Sequence, residues 1–277
     1  MLMKCGKKVA PIVANIKAAL SQMPMLHMDE TGLRLMSKLH WLHVVSTDQL
    51  TYYAVDDKRG KLAHERIGIL PNYTGVAVHD PYASYDQWTT FTPGLTHCLC
   101  NVHLLRDLQA IGELTGQHWA PDMKAAVDSA KTQGQTELAP AHLASFSAQY
   151  DAIVRCGLQS NPRPIKQPGR AKSSPARNLA ERLCDRKDDV LRFLHDFRVP
   201  FDNNQAERDL RMRNVRASEM KVKQKVSGCF RSLKGAQTFA SIASIRSYIS
   251  TARKQGVQVL DALRAIFDGC PIPLILA

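Results

Sequence analysis

Leu26-His-Met-Asp-Glu-Thr-Gly-Leu-Arg-Leu35, followed by His40-Trp-Leu-His-Val-Val-Ser46 and Leu50-Thr-Tyr-Tyr-Ala-Val55, reads as three consecutive β-strands. Apolar, aromatic and β-branched residues recur there in short runs separated by turn-forming and charged residues. Lys61 to Leu70 then has helical spacing, and Thr74 to Val78 is a further apolar run. Three sequential strands, a crossover helix and a fourth strand predict a mixed sheet in which the fourth strand adds in parallel. Leu95 to Leu99 is a candidate fifth strand. Beyond it the pattern turns helical, through Val102 to Leu114, Lys124 to Ala130, Ala139 to Val154 and Asn178 to Phe197. Asn161 to Pro175 interrupts this region as an exposed basic loop, since Pro162, Pro164, Pro168 and Gly169 sit among Arg163, Lys166, Arg170 and Lys172. Helix stops at Pro200, restarts after a cap at Asp202 or Asn203, and continues to the C-terminus with breaks at Gly228 and Gly256. Ahead of the sheet, Ala10 to Leu20 reads as a short amphipathic helix ended by Pro24.

The composition bounds what such a chain does. With 277 residues and 44% hydrophobic content it buries a substantial core, as one large domain or two smaller ones, and disorder is excluded. Lys plus Arg number 37 against 25 Asp plus Glu, a net charge of +12, which favours a polyanionic partner. Seven scattered cysteines, an odd number in a chain that needs no disulfide staples, point to a reducing cytoplasm. Pro11 and Lys17 interrupt the N-terminal apolar run, against a signal peptide. No run reaches the roughly 18 apolar residues of a membrane span.

Three acidic residues carry the chemistry: Asp29 and Asp80, each closing a strand-like run, and Glu207, opening a helix within a dense basic stretch. Carboxylates on rigid elements among Lys and Arg suit a hard divalent cation acting on a phosphodiester. Each also has a plain structural reading. Asp29 suits a turn cap, Asp80 before Pro81 suits a type I turn, and Glu207 suits a surface pair with Arg211. Spacing alone leaves both sets open.

Five ordered blocks add to this reading. They are His27-Met-Asp-Glu-Thr-Gly32, His79-Asp-Pro-Tyr-Ala-Ser-Tyr85, Cys100-Asn-Val-His-Leu-Leu-Arg-Asp-Leu108, Phe197-Arg-Val-Pro-Phe-Asp-Asn-Asn-Gln-Ala-Glu-Arg-Asp-Leu-Arg211 and Ser227-Gly-Cys-Phe-Arg-Ser232. From about residue 20 onward they closely resemble transposases of the IS66 family of bacterial insertion sequences. The resemblance implies an α/β, ribonuclease H-like mixed sheet over 25–277, with a helical insertion about 104–198 and a mainly helical C-terminal region. Residues 1–24 are then a helical lead-in, the remnant of a missing N-terminal region, because family members carry zinc-binding and helix-turn-helix regions ahead of the catalytic core. It also implies a DDE triad at Asp29, Asp80 and Glu207, two Mg²⁺ or Mn²⁺ ions held by those same residues, and cleavage of transposon ends followed by strand transfer into target DNA. Expected partners are the transposon ends and target DNA, with homo-oligomer assembly on DNA and no membrane, in a cytoplasmic, nucleoid-associated setting. One departure is local: the family runs almost directly from Glu-Arg-x-x-Arg-Met into a Lys-rich block, whereas Arg213 to Glu219 intervene here. A catalytically inactive DNA-binding remnant and a metal-dependent nuclease on RNA or hybrid duplex are the competing readings.

Arg208, Arg211, Lys221, Lys223, Lys225 and Arg231 are candidate DNA contacts, since such density suits phosphates; a solvated helix face is the alternative. Tyr82 and Tyr85 are candidate stacking partners for a frayed base, or core residues at a sheet edge. His103 is a candidate substrate contact. The group His97, Cys98, Cys100 and His103 lacks the second ligand pair of a zinc finger, so Cys98 and Cys100 read as buried strand residues.

Overall fold

The structure is a computed structural model that describes residues 2–35, 38–82, 85, 92–133, 140–163, 173–210, 229–230 and 233–276. Arg211, Lys221, Lys223, Lys225 and Arg231, the Arg213 to Glu219 segment and the centre of the Pro-rich basic loop lie outside the described residues. The chain divides into two compact units, Met1–His97 with Asn203–Ala277, and Cys98–Asp202.

A mixed sheet organises the first unit. Its strands are β1 (Met25–Leu35), β2 (Lys38–Ser46), β3 (Thr51–Asp56), β4 (Val76–His79) and β5 (Thr96–Leu99), in the order β3-β2-β1-β4-β5, and a short β6 (Cys229–Phe230) also pairs with β1. β1, β2 and β3 are sequential antiparallel neighbours, with Asp29 opposite Val44 and Val44 opposite Tyr53. β4 lies parallel to β1, pairing Met25 with Val76 and His27 with Val78. The intervening α2 (Lys61–Ile67) supplies the crossover that a parallel neighbour requires. β1 and β4 enter their pairing through a tight approach at Gly75, where a Cβ would stand 2.6 Å from the Pro24 carbonyl.

Side-chain alternation sorts the two sheet faces. Leu26 and Met28 of β1 pack with Val45, Ile67, Tyr85 and residues Ile16 and Leu20 of α1 (Leu2–Leu20). On the other face Leu33, Leu42, Val44 and Tyr53 pack with Ala206 and Leu210 of α9 (Asn204–Leu210) and Ala243 of α10 (Leu233–Lys254). A third cluster joins Cys5, Val9 and Val13 of α1 to Tyr248 and Ala252 of α10 and to Ala262 and Ile266 of α11 (Val259–Asp268). α1 thus starts well before Ala10. Its Pro11, inside the helix, is exposed to solvent.

The second unit is helical: α3 (Asn101–Thr115), α4 (Trp119–Gln133), α5 (Pro140–Ser160), α6 (Pro175–Asp185) and the single turns α7 (Lys187–Val190) and α8 (Arg192–His195). Its core gathers Leu104, Leu108, Trp119, Met123, Val127, Tyr150, Val154, Leu179 and Leu183. Gly157 lets α5 approach Trp119, since a Cβ there would lie 2.8 Å from the indole ring. Among the described residues no helix is long and apolar enough to cross a membrane.

Candidate active site

Asp29 sits in the middle of β1 rather than at its end, because β2 pairing continues to Leu35 whereas β4 pairing stops at His27. Carrying the β1–β4 register forward by two residues sets Asp29 level with Asp80, the first residue after β4. Level residues on parallel neighbours share a face, and for Asp29 it is the face covered by α9. Glu207 lies on that helix, one turn past Asn203.

The three acids influence one another electrostatically. The Asp29 carboxyl is pushed up from 3.8 to about 7, first by burial, then by the negative charge of Asp80, then by Glu30, with Glu207 adding a smaller push; a hydrogen bond from the Glu30 amide, 2.7 Å from Asp29 Oδ1, opposes this. Asp80, Glu30 and, more weakly, Glu207 thus all bear on the Asp29 carboxyl. Such an all-oxygen, anionic donor set suits a hard divalent cation.

The surroundings fix the two strand acids. His79 is fully buried; its Nδ1 lies 2.7 Å from the Asp80 carbonyl and its Nε2 lies 2.8 Å from His97 Nδ1. A carbonyl only accepts, so His79 carries a proton on Nδ1. The Asp80 carbonyl also accepts from the Tyr82 amide at 2.7 Å, which closes the turn after β4. Glu30 points to the opposite face from Asp29. Its carboxylate is buried, accepting from Arg59 Nε at 2.8 Å and from Tyr85 Oη at 2.7 Å.

The remaining sequence candidates fall in several places. Tyr85 is 1% exposed, stacked on His79 with ring centroids 4.1 Å apart, so it supports the strand ends from within the core. Tyr82 is half-buried, with the Arg59 guanidinium 3.8 Å over its ring and 4.7 Å from the Trp41 ring. Arg208 is exposed beside Glu207, donating to Gln205 Oε1 at 3.0 Å. His103 lies in the first turn of α3, its Nδ1 3.3 Å from the buried Cys100 thiol. Cys98 is also buried, its thiol pushed up to about 12 chiefly by burial.

The structure also places His27, Glu30, Arg59, His79 and Asn203 around the acids, none of which is a site candidate in the sequence, and it turns His97 to His79 rather than to a metal group. The Asn203 side chain is fully buried, its Oδ1 3.0 Å from His27 Nδ1 and its Nδ2 donating to the Met28 carbonyl at 2.8 Å. Its place in the motif before Glu207 was the available signal, but a residue of this type at a helix start reads first as a cap.

Comparison with known families matches residues 1–238 to the family described as Transposase IS66 family. No curated protein and no solved structure matches the chain.

Proposed function

Since the chain belongs to the IS66 transposase family, we propose that its sheet is a ribonuclease H-like catalytic core in which Asp29, Asp80 and Glu207 form the carboxylate triad of a DNA transposase. The single observation that carries this reading is the state of Asp29, whose carboxyl is driven up to about 7 by burial and by the neighbouring charges of Asp80, Glu30 and Glu207. Gathering like charges around one partly buried carboxyl destabilises the protein unless a cation compensates them, so such a cluster is more readily explained by function than by folding. The strand order and the sequential antiparallel trio β1, β2 and β3 support the ribonuclease H-like assignment.

The oxygen donors of Asp29, Asp80 and Glu207 would hold Mg²⁺ or Mn²⁺, two ions in the full site. When bound, such ions polarise a phosphodiester and make water or a 3′-hydroxyl a competent nucleophile near neutral pH. The protein's own contribution is positional. β1 and β4 hold two carboxylates level, α9 brings the third from the helix layer, and the His79 to Asp80 hydrogen bond fixes the turn that carries the second acid. A basic excess of 37 over 25 supplies the long-range attraction for DNA, and Arg208, exposed next to Glu207, is the described member of the proposed phosphate-contact set. The site would act on transposon ends and target DNA, in a homo-oligomer assembled on nucleoid DNA.

The test is cleavage of a DNA duplex carrying the element's ends, with and without Mg²⁺. Asp29→Asn, Asp80→Asn and Glu207→Gln should each lower cleavage by at least about a thousandfold with an unchanged circular dichroism spectrum. Full cleavage by any one of these folded variants removes that residue from the triad.

A further inference from the structure

α9 has seven residues, Asn204–Leu210, too few to hold a helix in water without tertiary contacts. The direction of Glu207 is therefore set by whatever anchors this short helix. Three kinds of anchor are present. Ala206 and Leu210 pack on the sheet beside Val44 and Leu33. At the far end, the Asp209 carbonyl accepts from Tyr53 Oη at 2.6 Å, and the Asp209 carboxylate meets Lys254 Nζ at 2.8 Å. At the near end stands Asn203, whose carbonyl accepts the Glu207 amide at 3.3 Å and so begins the turn that carries Glu207.

Apolar contacts allow a helix to slide or rotate by a fraction of a turn, whereas directional hydrogen bonds do not. The Asn203 amide supplies two of them to β1. Oδ1 accepts from His27 Nδ1, which fixes the proton on that ring nitrogen, and Nδ2 donates to the Met28 carbonyl. His27 is on the same face of β1 as Asp29, two residues away, and Met28 is the residue immediately before Asp29. Residues one helical turn apart stand on the same side of a helix, so fastening Asn203 to this point of β1 turns Glu207 toward the same strand. Only a carboxamide makes both bonds, because Asp lacks the donor for Met28 and Ala lacks both groups.

We infer that Asn203, clamped between His27 and the Met28 carbonyl, is a positioning residue that turns the Glu207 carboxylate toward the strand ends that carry Asp29 and Asp80. The clamp rests on the triad reading above, and it acts through Glu207 rather than on substrate. Removing it leaves the acids present but misplaced, which degrades the shared cation site and the chemical step and leaves DNA capture intact.

The experiment uses the full chain and Mn²⁺ as the probe, with binding measured by titration calorimetry and DNA cleavage kinetics measured alongside. Asn203→Ala should weaken Mn²⁺ binding about tenfold or more, as loss of a ligand-orienting contact does. It should also lower kcat about a hundredfold with KM for DNA unchanged, as expected for a displaced reacting group. His27→Phe removes one of the two amide contacts and should shift both quantities in the same direction, which keeps the test usable if Asn203→Ala does not fold. His27→Asn places an amide donor near the position of Nδ1 and should retain binding within about threefold of wild type, since the hydrogen bond to Oδ1 survives. Wild-type Mn²⁺ affinity and kcat in folded Asn203→Ala overturn the clamp alone. If the wild-type chain itself fails to bind Mn²⁺, the metal-site reading falls and the clamp falls with it.

Discussion

At the scale of single residues, two groups, the half-buried Asp29 and the buried His64, make opposite demands on pH. Asp29 titrates near 3.8 when unfolded and near 7 in the folded chain, chiefly through burial and the charge of Asp80. In metal-free protein the native state therefore binds more protons across this interval, and stability is lost as pH rises from about 4 to about 7, by a few kcal/mol at most. Asp29→Asn should consequently be more stable than wild type by about 2–4 kcal/mol in urea melts at pH 8 with EDTA. The difference should vanish at pH 4 and shrink when Mn²⁺ is added. His64 runs the other way. Its imidazole is pushed down from 6.5 to about 3, first by burial and then by neighbouring His43, so the native state resists the proton that the unfolded chain accepts. Its contribution is complete above about pH 6.5 and is lost as pH falls toward 3, again by a few kcal/mol. Between pH 4 and 6.5 the two slopes oppose, so a wild-type pH profile alone is flat or ambiguous there. His64→Phe should flatten the acid limb selectively. An unchanged acid limb in that variant would show that His64 does not govern it.

Among elements, hydroxyls tie one edge of the sheet to a helix. β3 is an edge strand, and α10 covers its exposed backbone: Ser247 Oγ accepts from the Tyr53 amide at 2.9 Å, and Thr251 Oγ1 accepts from the Thr51 amide at 3.0 Å. Ser247, Thr251 and Thr51 are all fully buried. The helix thereby closes an edge that would otherwise pair with another chain. Thr251→Val keeps shape and removes the acceptor, leaving a buried amide unsatisfied, so it should cost about 1–3 kcal/mol in equilibrium unfolding. A loss below about 0.3 kcal/mol would mean that water or a backbone shift replaces the hydroxyl. The existence of these elements was legible in the sequence, since each of β1 to β5 overlaps one of the apolar runs, with ends displaced by one or two residues, and α2 starts at Lys61 as its spacing implies. Two things were not legible. The strand past Asp29 was legible, but the partners of Glu30 were not, since its carboxylate is paired with Arg59 and Tyr85, residues far along the chain. Asn203 reads as a cap because local pattern carries no information about His27, its partner 176 positions away. Local periodicity reports which face a residue occupies, whereas polar contacts between distant segments are fixed only by the assembled fold.

For the whole molecule, the two units differ in how their cores are drawn from the chain. The second is a continuous stretch, Cys98–Asp202, whose buried cluster is contributed by successive helices. The first needs both Met1–His97 and Asn203–Ala277. Val44 and Leu33 have no cover on the acid face until Ala206, Leu210 and Ala243 arrive, and the hydroxyl edge of α10 reaches β3 from about 200 residues away. Folding rates fall as contacts become less local, because loop-closure entropy must be met before the contacts form. The helical unit should therefore acquire its native packing first, and the carboxylate group should assemble last. Trp119, 2% exposed, reports the helical core, and half-buried Trp41 on β2 reports the sheet beside Arg59. In full-length chains that keep only one of these tryptophans, the others being Phe, stopped-flow refolding should recover the Trp119 signal at least about tenfold faster than the Trp41 signal, given the spread of rates with contact order. On the proposed triad, Mn²⁺ binding should return with the slower phase, because the helix that carries Glu207 joins the strands of Asp29 and Asp80 only when the C-terminal segment docks on the sheet. Equal rates for both tryptophans would mean that the units fold as one cooperative body, and Mn²⁺ binding that returned with the fast phase would place the metal ligands elsewhere.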